Sequence, residues 1–127
     1  MKIGIVGSNS ITDLSKIYTT LYQVTKEVSP TSPPVFLGGG GKGVASIVKE
    51  FARDNNIDYV ELSPFFMLDT NVPFSSKYFF IRTKQIIDNS DFVVFFLNED
   101  CKEVNYGIKY TQRKRIDYLV VKIPKTV

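Results

Sequence analysis

The period of apolar positions changes along the chain, and each change marks an element. Lys2 to Val6 is a short apolar run closed by Gly7, and Ser8, Asn9, Ser10 and Thr12 then offer turn and cap chemistry, which predicts a strand entering a helix. Leu14, Ile17, Tyr18 and Leu21 repeat at helical spacing, so a first helix is expected from about Asp13 to Lys26. Pro30, Pro33 and Pro34 forbid its continuation. Val35 to Leu37 reads as a second strand, and the run Gly38 to Gly41 leads into a stripe of Val44, Ile47, Val48 and Phe51, a helix closed at Asn55 and Asn56. Ile57 to Leu62 is a third strand. Ser63 to Ser76 has no clear period and contains two prolines, three phenylalanines and Asp69, as a long functional loop would. Phe79 and Phe80 recur as Ile86 and Ile87 two helical turns later, which makes Ser76 to Asn89 a third helix with Arg82 near its middle. Phe92 to Leu97 is almost continuously apolar, the pattern of a strand buried on both faces. Val104, Gly107, Ile108 and Thr111 set the inner face of a fourth helix, and Tyr118 to Ile123 is the last strand.

Four strand–helix units and a closing strand imply an α/β fold, because right-handed crossovers place helices on both faces of a parallel sheet. The expectation is one doubly wound Rossmann-like domain over residues 1–127, with a mainly parallel five-stranded sheet in the order 3-2-1-4-5. No internal repeat or linker interrupts it. In such a sheet the ligand crevice lies beyond the carboxyl ends of the strands where the order reverses, here between the first and fourth strands.

Composition narrows the chemistry. The 127 residues are 43% hydrophobic and 23% charged, ordinary for one globular domain. A net charge of +3 favours approach of an anion without specifying one. One cysteine excludes an internal disulfide, and the lack of any histidine excludes histidine-based triads, His-bearing zinc sites and imidazole acid–base catalysis. No apolar run approaches the roughly 20 residues that cross a bilayer. The opening MKIGIVGSNS turns polar before a signal-peptide core develops. A cytoplasmic protein with no membrane partner, no cofactor and no bound metal is expected.

Five glycines in the six positions Gly38 to Gly43 precede a helix, so backbone N–H groups and the helix N-terminus can cradle a phosphate. A turn that binds nothing is the plainer alternative. The spacing is neither a dinucleotide fingerprint nor a Walker A loop, since Val44 follows Gly43 and Lys42 precedes it. The candidate ligand contacts are Gly7, Ser8, Asn9, Gly39, Gly40, Gly41, Lys42, Gly43, Phe65, Arg82, Lys84, Glu103 and Asn105. Gly7 to Asn9 offers donors or simple capping. Arg82 and Lys84 can neutralise phosphate, or Arg82 can pair with Asp88. Phe65, Phe66 and Phe74 can stack on a base, or close a small apolar cluster or a dimer contact. Lys102, Lys109, Arg113, Lys114 and Arg115 form a basic helix surface, most simply a solvated one. Glu103 and Asp69 are the candidate catalytic carboxylates, with Glu99 and Asp100 beside them. Cys101 has no histidine to activate it.

The stretches IVGSNSITD at 5–13, GGGGKGVASIVKEFARDNNI at 38–57 and IRTKQIIDNSDFVVFFL at 81–97 resemble the SLOG superfamily, the Rossmann-like group of DNA-processing proteins and LOG nucleotide hydrolases. They are similar to its opening I-x-G-S turn, its GG-x-x-G phosphate loop and its arginine-bearing segment before the fourth strand. The resemblance spans nearly the whole chain. It implies nucleotide or nucleotide-derived ligands, ADP-ribose-like messengers among them, at the same rim, with Arg82 matching the family arginine. Enzymatic members carry P-G-G-x-G-T-x-x-E after the fourth strand. This chain has Asn98 to Tyr106 there, with Asn105 or Tyr106 where the catalytic glutamate would stand. An amide cannot act as a carboxylate base, although Asn105 can hydrogen-bond a ribose or base.

The expected function is therefore the binding, by sensing or sequestration, of a nucleotide or a nucleotide-derived signalling molecule such as a cyclic nucleotide or ADP-ribose form. Two alternatives stand beside it: an N-glycosidase or phosphoribohydrolase using Glu103 or Asp69, and a nucleic-acid or protein interaction module using the basic helix. A nucleic-acid partner is not the expectation. The wealth of aromatics, including Phe79, Phe80, Tyr106 and Tyr110, suggests a homodimer.

Overall fold

The computed structural model describes residues 1–7, 11, 14–39, 43–62, 77–97 and 102–123, with the side chains of residues 14, 77–79, 102 and 103 left aside. Five strands and four helices alternate: β1 (Lys2–Gly7), α1 (Leu14–Val28), β2 (Val35–Gly38), α2 (Val44–Asp54), β3 (Asp58–Glu61), α3 (Lys77–Asp88), β4 (Phe92–Leu97), α4 (Lys102–Lys114) and β5 (Asp117–Lys122). The strands form one all-parallel sheet in the order β3-β2-β1-β4-β5, so the chain winds outward from β1 in both directions. This is the doubly wound Rossmann-like arrangement the periodicity predicts.

Each face of the sheet has its own core. Ile3, Ile5, Val94, Phe96 and Ile123 point to the layer of α1 and α2, where Ile17, Leu21, Val48 and Phe51 meet them. Val6, Leu37, Val93 and Phe95 point to α3 and α4, against Ile86, Ile87 and Val104. The alternation of β4 between these cores explains its unbroken apolar run: Val93 to Phe96 are all buried because both faces are covered.

Element ends differ from the sequence reading where backbone hydrogen bonds decide them. α1 continues to Val28, and Ser29 N–H still donates to Thr25 O at 3.1 Å before Pro30 ends the ladder. The ordered strand β3 is shorter than Ile57 to Leu62, because Ile57 N–H closes α2 by donating to Ala52 O at 2.8 Å. On α4, Ile108 is only half-buried, while Tyr110 takes the core position beside Val104, Gly107 and Thr111. Tyr110 is affordable there because its hydroxyl donates to Asp88 Oδ1 at 2.6 Å. Part of the aromatic surplus is thus core and seam packing rather than a free surface: Phe80 meets Tyr106 edge-on, and Tyr106 stacks on Tyr110. Asp88 accepts from Tyr110, while the guanidinium of Arg82 lies at Gly39. The long segment Ser63 to Ser76 lies outside the described residues.

Candidate functional site at the carboxyl rim of the sheet

β1 lies between β2 and β4, and the connections after β1 and β4 leave for opposite helical layers, which opens a crevice at their carboxyl ends. The rim there is built by Gly7, by Gly38 and Gly39 after β2, by Gly43 at the start of α2, and by Arg82 reaching up from α3. Gly7 is held close to the first residue of α2, because a Cβ on it would lie 2.6 Å from Val44 Cγ2.

Gly43 is the N-cap of α2 with φ 76° and ψ −133°, a region open in practice only to glycine. Among the described residues no side chain caps this helix, and its first turn holds no acidic residue. Its leading N–H groups and positive dipole end therefore meet no resident anion on α2 itself. Beside it, the guanidinium of Arg82 lies flat on Gly39: a Cβ there would stand 2.8 Å from Arg82 Cζ and Nε and 3.0 Å from Nη1. Only glycine lets the cation sit this close to the main chain.

Tyr59 on β3 locks the other side of the same backbone. Its hydroxyl donates to Gly39 O at 2.7 Å and touches Gly38. Burial, with the nearby Glu61 carboxylate adding to it, raises this phenol well above its ordinary value, and the positive charge of Arg82 opposes the shift. Lys49 pairs with Glu61 and lies 5.7 Å from the Tyr59 ring centre, closing the outer flank. The result is a glycine main chain fixed between a tyrosine and an arginine, next to an uncapped helix N-terminus. That arrangement can receive a phosphate or another small oxyanion.

Of the candidate contacts, the structure brings Gly7, Gly39, Gly43 and Arg82 to this rim. It does not bring Lys84, which extends beside α4 with its amine 5.7 Å from the Tyr110 ring centre. Residues two apart on a helix diverge by about 200°, so Lys84 and Arg82 cannot share a face. Asn105 is half-buried in the first turns of α4, and Glu103 is described only as a position in the first turn of that helix. Ser8, Asn9, Gly40, Gly41, Lys42, Phe65 and Asp69 lie outside the described residues, as do Cys101, Glu99 and Asp100. Tyr59 was missed from sequence; its signal was the inward position in the alternation Asp58-Tyr59-Val60-Glu61. Among the described residues no cluster of three potential metal ligands forms, and no helix is long and apolar enough to cross a membrane.

A cavity of about 450 Å³ lies at the other end of the strands, between α1, α2 and the segment preceding β2, lined among others by Tyr22, Lys26, Pro33, Pro34 and Phe51. Its one charged lining residue among those described is Lys26, whose amine already sits 4.5 Å over the Tyr22 ring. The prolines offer no N–H.

No family model and no curated protein matches the chain. Solved structures do. DNA processing protein A from Helicobacter pylori, described by its single-stranded DNA binding mode, is 17% identical with a TM-score of 0.68, over 100% of this chain and 66% of that one. TM1055, a structural genomics target, is 16% identical with a TM-score of 0.63, over 92% of this chain and 71% of that one. This chain thus spans just under two thirds of the first of these neighbours. The likeness establishes a Rossmann-like α/β fold.

Proposed function

We propose that the rim formed by Gly39, Gly43 and Arg82 binds the phosphate of a nucleotide or nucleotide-derived molecule, and that this chain senses or sequesters that ligand. The observation that carries the reading is the guanidinium of Arg82 seated on Gly39 beside the uncapped start of α2. A planar cation with paired N–H donors suits two phosphate oxygens, and the leading N–H groups of a helix suit a third.

A second reading keeps the same site and changes the ligand's size: the phosphate belongs to one unit of a single nucleic-acid strand. The similarity to a neighbour that binds single-stranded DNA favours it. Both readings are tested by incubating the protein with mononucleotides, ADP-ribose forms, cyclic dinucleotides and short single-stranded oligonucleotides. After removal of unbound material, the protein is denatured and the released compounds are identified by chromatography and mass spectrometry. Intact retention of a phosphate-bearing compound by the wild type and its loss in Arg82→Ala supports the proposal. Retention of none of them contradicts it, and free base with ribose phosphate would make the protein a glycosidase.

A further inference from the structure

The two edges of the sheet are protected to very different degrees. β3, at one edge, has four residues, begins with Asp58 and ends with Glu61, and its Glu61 is engaged by Lys49 from α2. Short length and terminal charge are devices that discourage pairing with another chain. β5, at the other edge, has six residues, and its four central positions, Tyr118, Leu119, Val120 and Val121, carry no charge, proline or glycine. Tyr118 and Leu119 are 36% and 39% exposed, and Val120 and Val121 are half-buried. Among the described residues no strand lies outside β5.

We propose that two copies of this chain join edge to edge through β5, antiparallel about a two-fold axis normal to the sheet, so that the two sheets become one. The ladder fixes the geometry. Ile123 N–H donates inward to Leu97 O at 2.8 Å, so the backbone groups of Leu119 and Val121 also face β4, and those of Tyr118, Val120 and Lys122 face outward. A two-fold axis must pair outward-bonding residues with one another, which restricts the registers to those centred on a single residue. Centring on Val120 pairs all of the outward groups within β5: Val120 with the partner's Val120, and Tyr118 with the partner's Lys122. Centring on Leu119 or Val121 leaves an outward residue of the strand without a mate in β5.

Side chains agree with that register. Tyr118 and Val120 lie on the face of α3 and α4, as the Tyr118 contacts with Phe95 and Gln112 show, and Lys122 shares their parity. The partner's Lys122 therefore comes beside the Tyr118 ring, a cation–aromatic pair repeated by symmetry. On the other face Leu119 meets the partner's Val121. A second copy is thus complementary to this edge in hydrogen bonding, in apolar surface and in the pairing of each Lys122 with the other copy's Tyr118 ring.

Sedimentation of the full chain at high-micromolar concentration tests the interface independently of the rim. The wild type is expected to sediment at twice the chain mass; a monomer overturns the proposal. At the symmetry centre Val120→Glu and Val120→Lys each place like charges opposite one another and are expected to yield monomers, while an equimolar mixture of the two recovers the dimer. Because Val120 is half-buried, Lys122→Pro serves as the second variant: it deletes an outward N–H that the monomer does not use, and circular dichroism checks that the fold survives. Loss of the dimer in Lys122→Pro supports the interface even if the Val120 variants fail to fold. A dimer that persists in folded Lys122→Pro or folded Val120→Glu places the contact elsewhere and overturns it.

Discussion

The two ends of the sheet differ in what they hold. At the amino end, between α1 and α2, is an open cavity of about 450 Å³ walled by tyrosine, phenylalanine and proline together with Thr25, Ser29 and Asn55, with one lysine laid on an aromatic ring. At the carboxyl end the Tyr59 hydroxyl holds Gly39 O at 2.7 Å, the Arg82 guanidinium packs against Gly39, and Gly43 opens α2 in a glycine-only conformation. Volume alone does not identify a ligand site. At the amino end the donors of Thr25, Ser29 and Asn55 are given to nearby backbone carbonyls, whereas the carboxyl end sets a guanidinium against a glycine main chain and the start of a helix. For a charged ligand the second property decides, because desolvating a phosphate is compensated only by groups already oriented toward it.

Substitutions at the two ends should separate them. The largest effect is expected from Arg82→Ala, which removes a charge-assisted contact of about 1.5–3 kcal/mol and should weaken binding of the retained nucleotide about 10- to 100-fold by calorimetry, with the fold intact. Gly43→Ala forces a side chain into a positive-φ conformation and should cost about 1–3 kcal/mol in denaturant unfolding, together with weaker binding. Tyr59→Phe deletes the bond to Gly39 O and should cost about 1 kcal/mol, with a smaller loss of affinity because the glycine segment is less firmly held. The phenol of Tyr59 ionises later in the folded chain than in the unfolded one, so its contribution is complete below pH 10, the ordinary value, and is lost only as pH rises through the higher folded value. An alkaline unfolding series on wild type and Tyr59→Phe should therefore agree in shape below pH 10 and diverge above it. At the other end, Lys26→Ala should leave affinity unchanged within error, and a loss equal to that of Arg82→Ala would erase the distinction between the ends.

How much of this was legible in the sequence depended on whether a signal was local. The elements followed from periodicity and the two helical layers from right-handed crossovers, while the order 3-2-1-4-5 was expected from the Rossmann-like pattern and is the order observed. Phe92 to Leu97 announced the central strand by being apolar on both faces, and it is buried on both. Gly39 and Arg82 were legible as types, a glycine run before a helix and an arginine on an aromatic helix, but their contact spans two elements and no spacing encodes it. Lys84 was grouped with Arg82 because they are near in sequence; helical rotation sends it to Tyr110 instead. Tyr59 escaped because a four-residue edge strand gives too short an alternation to separate its faces. Tyr110 was read as surplus because a buried tyrosine depends on a partner such as Asp88, twenty-two positions away, for its hydroxyl.

The most direct test of the rim is an amide chemical-shift titration of the labelled protein with the retained nucleotide. The account predicts that the largest shifts cluster at Gly7, Gly39, Gly43 and the first turn of α2, together with the side-chain Nε–H of Arg82. Shifts concentrated instead at Tyr22, Thr25, Lys26 and Asn55 would place the ligand in the cavity at the amino end and contradict it.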